Sequence, residues 1–203
     1  MRIGSDDEKR ITDAIRAAEK KTAGEIFCVM TQASSDYRLV PVAWAAIVAL
    51  FVPLPLLYFT SLSATMIYVF QLIAFLVVVF AFLQPTVRFF IVPRRVLHDR
   101  ASVEAQRQFA AHGLHRTEAR TGVLIFVSVA ERHVEVVADV GIAAKVSQEV
   151  WDRAVKALVQ AIKNERPADG FVEAIRICGE VLAEHFPPGA STRNELPDKL
   201  VVM

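Results

Sequence analysis

A long apolar run without Asp, Glu, Lys or Arg occupies residues 39–87. A helix crosses the roughly 30 Å bilayer core with about 20 apolar residues, so this run is long enough for two crossings and a turn. The pattern predicts one span at residues 40–60, a turn at 61–64 and a second span at 65–87. Each span must be helical because lipid offers the backbone no hydrogen-bond partners. The alternative is a helical hairpin buried in a soluble core.

Prolines and aromatic residues add detail to the first span. Pro41 fits the first turn of a helix, where its missing N–H is not needed. Pro53 and Pro55 lie inside the span, and we expect them to kink the helix or to end it early. Trp44 and Tyr58 are candidates for anchors at the membrane interface.

The charges that flank the hairpin predict its orientation. Arg38 precedes the first span, Arg88, Arg94, Arg95 and Arg100 follow the second, and the turn between the spans is uncharged. Short flanks rich in Lys and Arg stay in the cytoplasm. We therefore expect a two-span protein of the inner (plasma) membrane with both polar segments in the cytoplasm. Residues 1–38 are polar and charged, which is unlike a cleavable signal peptide.

The segment before the hairpin predicts one helix and one strand. Residues 5–8 read Ser-Asp-Asp-Glu, the pattern of a capping box in which Ser5 caps the helix and Glu8 reaches back. Apolar residues then recur at helical spacing, so a helix should run to about Lys21. Residues 26–30 form a continuous apolar run typical of a strand that is buried on both faces.

The segment after the hairpin predicts the rest of a small α/β domain. We expect a helix at residues 96–114, a buried strand at 123–129, an antiparallel partner at 133–138, and two further helices, one beginning after Ser147 and one at 171–186. Residues 200–202 form a candidate edge strand. The predicted fold is an αβα sandwich with a mixed sheet, split by the hairpin. Its parts are residues 1–38, the hairpin at 39–92, residues 93–190 and a tail at 191–203.

Composition excludes some classes of function. About 150 residues outside the hairpin suit one domain. The net charge of +1 creates no strong field to recruit nucleic acid. The two cysteines, Cys28 and Cys178, lie in apolar runs, and we interpret them as core residues and not as a disulfide.

Acidic residues come together at one end of the predicted sheet. Asp139 ends the third strand, which should run antiparallel to the second, while Glu25 and Glu118 start or precede the first two strands. Two or three carboxylates there could hold a hard cation such as Ca²⁺ or Mg²⁺. The next helix begins after Ser147 on the same side, where its amino terminus would favour a phosphate. The alternative is an ordinary turn in which Asp139 bonds local backbone groups and Glu25 is solvated.

Other candidate chemistry is weaker. His112 and His115, together with Glu118, have the spacing of metal ligands on a helix, but Gly113 indicates that the helix ends between them. Exposed histidines beside a loop are the alternative. The sequence contains no glycine-rich phosphate loop, no cysteine nucleophile motif and no Gly-x-Ser-x-Gly elbow.

Several segments carry a resemblance to one family. The opening helix ends in Glu19-Lys-Lys-Thr-Ala-Gly-Glu25 before an apolar strand, and Arg120-Thr-Gly-Val-Leu-Ile-Phe126 begins the second strand. The hairpin at residues 131–139 with Gly141, the spacing of Trp151 and Gly170-Phe171, and the tail at 194–198 complete the set. The chain resembles the TPM domain family, which includes thylakoid-lumen phosphatase-like proteins and photosystem II repair factors, and in particular bacterial members with an inserted membrane hairpin.

This resemblance implies an αβα sandwich and two contrasting functions. Some members are assembly or accessory factors for membrane complexes, whereas some plant members have acid phosphatase activity and some members bind calcium. We therefore expect a membrane-anchored accessory factor whose partners are the bilayer and another membrane protein or a second copy. The alternative is a phosphatase assisted by Ca²⁺ or Mg²⁺ at Glu25, Glu118 and Asp139.

Overall fold

The computed structural model describes residues 3–37, 39–84, 89, 91–117, 120–188 and 196–203. It contains two compact units. Unit 1 comprises Met1–Ser34 together with Asp99–Met203, and unit 2 comprises Ser35–His98. In chain order the elements before and within the hairpin are α1 (Ser5–Glu19), β1 (Glu25–Thr31), α2 (Leu39–Phe51), α3 (Pro53–Phe59) and α4 (Ala64–Leu83). The elements after the hairpin are α5 (Arg94–Ala111), β2 (Gly122–Ser128), β3 (His133–Ala138), α6 (Val140–Ala143), α7 (Gln148–Lys163), α8 (Pro167–His185) and β4 (Leu200–Val202).

The sheet of unit 1 is mixed and has the strand order β3-β2-β1-β4. β1 pairs in parallel with both β2 and β4, and β3 pairs antiparallel with β2. Glu25 is in register with Gly122, and Val123 is in register with Ala138. The predicted mixed sheet is confirmed, including the short strand at residues 200–202.

Both faces of the sheet are covered, which makes unit 1 an αβα sandwich. Ile26, Cys28 and Met30 of β1 pack in one core with residues of α1, α7 and α8. Phe27 and Val29 pack in a second core with residues of α5. Successive side chains of a strand point to opposite faces, so a central strand between two helical layers is apolar throughout. This is why every residue of β1 and of β2 is buried.

Unit 2 holds two helical stretches, Leu39–Phe59 and Ala64–Leu83, that are long and apolar enough to cross a membrane. The first is divided at Val52, because α2 ends at Phe51 and α3 begins at Pro53. The predicted effect of Pro53 and Pro55 is therefore confirmed. Most large apolar side chains of the hairpin are exposed, among them Tyr58 and Phe59 at 87% each.

Details of the helix boundaries differ from the sequence prediction. The residue that caps α1 is Gly4 and not Ser5, and it does so through its carbonyl, which accepts the backbone N–H of Glu8 at 3.0 Å. The predicted capping box is thus wrong, because no side chain bonds the amino end of α1. α6 and a 3₁₀ turn at Leu114–Arg116 were not expected from the sequence. Arg38, Arg88 and the predicted end of the second span at Val87 lie outside the described residues.

Candidate functional site

Glu25 and Asp139 lie at the same end of the sheet, where the topology predicts them. Glu25 begins β1 opposite Gly122 of β2, and the carbonyl of Gly122 accepts the backbone N–H of Asp139 at 3.0 Å. The two acidic residues therefore flank Gly122, separated by one intervening strand. Both are buried, with relative exposures of 7% and 5%. We call this part of unit 1 the amino end of the sheet.

The space over Gly122, the residue that lies between Glu25 and Asp139 across the sheet, is filled by the 3₁₀ turn. A Cβ atom placed on Gly122 would lie 2.6 Å from the backbone oxygen of Leu114 and 3.0 Å from its Cβ. Paired residues of adjacent strands face the same side of a sheet, so Leu114 packs on the side to which Glu25 points. Within the part of the chain that the structure describes, no three His, Cys, Asp or Glu side chains form a group able to hold a metal ion. Glu118 lies outside that part, so the predicted set of Glu25, Glu118 and Asp139 stays a prediction.

Asp139 has two different carboxylate environments. Its Oδ1 accepts the backbone N–H of Val140 at 2.7 Å and thereby caps the short helix α6. Its Oδ2 is buried 3.9 Å from Nη1 of Arg120 and has no hydrogen-bond partner among the described residues. Arg120 itself adopts a left-handed backbone conformation with φ 54°. The turn interpretation explains the hydrogen bond of Oδ1. Oδ2 can still accept a hydrogen bond and lies near the guanidinium of Arg120.

A further acidic residue at this end, Glu19, is one that the sequence analysis did not single out. Its Oε1 accepts the backbone N–H of Ile26 at 2.9 Å. Burial raises the pKa of Glu19 to about 8, against the effect of that hydrogen bond, and the neighbouring Glu25 and Asp198 carboxylates raise it further. The short strand β4 brings Asp198 here, where it accepts a hydrogen bond from Nε of Arg16 at 3.1 Å. Asp198 reaches Glu19 because β4 pairs in parallel with β1. The sequence of a three-residue strand does not indicate which strand it pairs with, so this contact could not be predicted.

The two histidines with metal-ligand spacing sit in different surroundings. α5 ends at Ala111, and Gly113 takes the left-handed conformation with φ 74°, so the predicted end of the helix there is confirmed. The ring of His112 stacks on Phe27 with ring centroids 4.4 Å apart. Burial lowers the pKa of His112, and the charge of Lys199 acts in the same direction. His115 belongs to the 3₁₀ turn.

At the opposite, carboxyl end of β1 and β2, Glu131 forms hydrogen bonds with the segment that leads into unit 2. Glu131 Oε1 accepts the backbone N–H of Ser34 at 2.9 Å, and its Oε2 accepts the hydroxyl of Ser128. The hydroxyl of Ser34 donates to that of Ser128 at 2.9 Å. Glu131 is 4% exposed although the sequence placed it in a short polar link. This network fixes Ser34, the last residue of unit 1 before the hairpin.

Comparison with known families decides what kind of domain this is. A family model for the TPM domain matches residues 84–181. This segment of the chain is similar to the TPM domain. The matched segment contains β2, β3 and most of the helices of unit 1, whereas α1, β1 and β4 lie outside it. Since β1 occupies the middle of the sheet, residues on both sides of the matched segment complete the sheet of unit 1.

A solved structure supports the fold. The NMR structure of the BA42 protein from the psychrophilic bacterium Bizionia argentinensis is similar to this chain with a TM-score of 0.62. The similarity covers 100% of this chain and 97% of BA42 at 22% sequence identity, a level that shows a shared fold and nothing more. No curated protein matches the sequence. The match of the family model to residues 84–181 confirms the resemblance to the TPM family.

Proposed function

We propose that this chain is a membrane-anchored TPM-domain protein that acts as an accessory or assembly factor for a membrane protein complex. The observation that carries the proposal is the position of the hairpin. It interrupts unit 1 between β1 and β2, two strands that are neighbours in one sheet. Unit 1 is therefore tied to the hairpin through two covalent connections, one on each side.

The surface of the hairpin supports insertion into lipid. Exposing apolar surface to water costs about 25 cal/mol per Å². Soluble monomers rarely expose a contiguous apolar patch of more than a few hundred Å². Unit 2 exposes many large apolar side chains on both helical stretches, including Trp44, Leu50, Phe59, Phe70 and Phe80. A lipid environment removes this cost.

Packing within the hairpin leaves apolar faces for a partner. Ala45 and Ala49 of α2 and Ile67 of α4 are among its few buried side chains. Ala45 and Ala49 are four residues apart and share one side of α2, where small residues allow two membrane helices to approach closely. The remaining apolar sides can contact lipid, another membrane protein or a second copy of this chain.

Recovery of partners from membranes tests the proposal. The full chain with an affinity tag is extracted in mild detergent and compared with a variant in which residues 39–87 are replaced by an unrelated two-span hairpin. We expect the native chain to resist alkaline carbonate extraction and to recover the same membrane proteins repeatedly, with the variant showing whether unit 1 or the hairpin recruits them. Release of the native chain by carbonate, or recovery of the chain alone, would contradict the proposal.

The second candidate function is a phosphatase assisted by Ca²⁺ or Mg²⁺. The observation that favours it is the buried Oδ2 of Asp139, which has no hydrogen-bond partner among the described residues. Carboxylate oxygens are the ligands that both cations prefer. The described residues do not supply a complete set of ligands, so Glu118 would have to contribute one. Cation binding itself is the first test of this candidate.

A further inference from the structure

A cavity of about 640 Å³ lies in unit 1 beside the carboxyl end of β2. Residues at the β2–β3 junction form one side of it, and the end of α7 with the loop to α8 forms the other. Pockets for small molecules usually measure 300–1,000 Å³. In open α/β sheets such ligands bind outside the carboxyl ends of the strands. We call it the carboxyl-end cavity, and it is far along the strands from Glu25 and Asp139.

The wall of the carboxyl-end cavity is mainly apolar. Val127 and Val129 contribute from the end of β2, Val134 from β3, and Val159 and Ile162 from α7. Burying such surface against a ligand contributes about 25 cal/mol per Å². The wall therefore favours a ligand with an apolar body.

Two cationic side chains line the same cavity, one from a turn and one from the end of a helix. Arg132 lies in the turn between β2 and β3, and Lys163 is the last residue of α7. Neither forms a salt bridge with another residue of the described part of the chain, and both are exposed. The one carboxylate in the lining is Glu165. Two cationic side chains on separate elements suit an anionic head that carries more than one negative charge.

The hydroxyl and imidazole groups at the rim, those of Ser128 and His133, are already engaged. Nε2 of His133 lies 2.9 Å from Oε2 of Glu135, and this bond lowers the pKa of Glu135. Glu135 also accepts the hydroxyl of Ser102 at 3.1 Å. The hydroxyl of Ser128 donates a hydrogen bond to Glu131. Arg132 and Lys163 are therefore the groups that remain to contact an anion.

Both loops that border the cavity hold a strained residue. Arg132 has φ 52° and Glu165 has φ 59°, in the left-handed region that non-glycine residues adopt infrequently. The conformation costs roughly 1–2 kcal/mol for an ordinary residue. Strained residues cluster at ligand sites, where the surrounding structure holds them in place. Here two of them face one cavity from separate loops.

We infer that the carboxyl-end cavity binds an organic phosphate, with its apolar body against the valine and isoleucine wall and its phosphate at Arg132 and Lys163. A guanidinium and an ammonium group both form strong charge-assisted hydrogen bonds with phosphate oxygens. The chain leaves unit 1 at Ser34, at this same end of the sheet, on its way to the hairpin. The phosphate can belong to a soluble phosphate ester or to a phospholipid headgroup.

Binding measurements with the full chain test the inference. The chain is reconstituted in phosphatidylcholine nanodiscs and titrated with phenyl phosphate, while inorganic phosphate serves as the probe without an apolar body. Lys163→Gln removes one charge, and Arg132→Asn removes the other with a residue that tolerates φ > 0. The matched control is Lys156→Gln, an exposed lysine of the same helix that does not line the cavity. A second arm compares thermal unfolding in nanodiscs with and without phosphatidic acid.

The expected result is saturable binding of phenyl phosphate that each cavity variant weakens about tenfold or more, with no change in Lys156→Gln. Inorganic phosphate should bind more weakly than phenyl phosphate. If the source is a lipid, phosphatidic acid should raise the melting temperature of the native chain but not that of Lys163→Gln. The inference is overturned if neither probe binds, or if Lys163→Gln and Lys156→Gln lose the same amount.

Discussion

The Glu19 carboxylate accepts the backbone N–H of Ile26 at 2.9 Å and so joins the end of α1 to the start of β1. The carboxylates of Glu25 and of Asp198, which precedes β4 in the chain, lie close enough to Glu19 to raise its pKa. Burial, chiefly, raises its pKa to about 8. Glu19 is therefore protonated in the folded chain at neutral pH, although it ionises near pH 4.5 when the chain unfolds.

The raised pKa of Glu19 predicts that unit 1 loses stability as the pH rises. Between about pH 4.5 and pH 8 the folded state holds a proton that the unfolded state has released, so the free energy of unfolding falls with pH. The contribution of Glu19 is full below pH 4.5 and is lost once the pH passes about 8. Urea unfolding of unit 1, followed at several pH values in the full chain, measures this slope.

Glu19→Gln is the variant that separates Glu19 from other titrating groups. Glutamine keeps an oxygen for the Ile26 N–H and stays neutral, so the slope between pH 5 and 8 should become flatter and the stability above pH 8 should increase. Asp13→Asn, an exposed position on the same helix, is the control and should leave the slope unchanged. An unaltered slope in Glu19→Gln would show that Glu19 ionises normally.

The close approach of Leu114 to Gly122 gives a second prediction. A methyl group at Gly122 would meet a backbone oxygen at 2.6 Å, and the turn would have to move. Gly122→Ala should destabilise unit 1 by about 1–3 kcal/mol, the usual cost of overpacking. At Gly24 an added Cβ meets only the side-chain end of Leu182 at 3.0 Å, so Gly24→Ala should cost less. Chemical denaturation of both variants measures the difference, and equal losses would contradict the prediction.

The elements of unit 1 could be predicted because their patterns are physically simple. Residues 26–30 are apolar without interruption, as expected for a central strand covered on both faces, and β1 is such a strand. The antiparallel pairing of β3 with β2 followed from the short link at residues 130–132. Pro53 broke the first apolar helix because proline lacks the N–H that the helix needs.

The candidate sites were harder to predict from the sequence, because they depend on contacts between residues that are distant in the chain. Leu114 occupies the space over Gly122, and nothing in the residues near Glu25 or Asp139 indicates this. Asp198 reaches Glu19 only through a three-residue strand. The strained conformations of Arg132 and Glu165 leave no mark in the sequence, since glycine or asparagine would have been the expected residues there.

The central position of β1 predicts that the second part of the chain does not fold alone. Residues 95–203 lack α1 and β1, so β2 and β4 would lose the strand between them and expose apolar faces and unpaired edges. We expect an aggregating product without cooperative unfolding in size-exclusion chromatography and urea titration. The matched control joins residue 34 to residue 99 through a Gly/Ser linker, keeps all four strands, and should be monomeric and cooperative. A monomeric, cooperatively unfolding fragment of residues 95–203 would contradict the split-domain interpretation.

The flanking arginines predict that only the turn of the hairpin faces outward. Burial raises the pKa of Cys28 and raises that of Cys178 to about 12, so the native thiols should react poorly with maleimide. In intact cells an impermeant maleimide should label Ser61→Cys, whereas Ser5→Cys should be labelled only after lysis. The opposite labelling pattern would place the TPM domain outside the cytoplasm.

The last prediction concerns a cation at Asp139. If Asp139 binds Ca²⁺ or Mg²⁺ together with Glu25 and Glu118, adding either cation should raise the melting temperature, because a ligand that binds only the folded state stabilises it. At 100 times the dissociation constant the gain is about 2.7 kcal/mol. Asp139→Asn should abolish this response and keep the fold, because asparagine caps α6 as well as aspartate does. Asp13→Asn is the control that should respond like the native chain.

If the native chain shows no cation-dependent shift, the amino end of the sheet is a structural turn and the phosphatase candidate loses its support. If it shifts without hydrolysing phosphate esters, the cation stabilises the fold and the accessory-factor proposal is the one that stands.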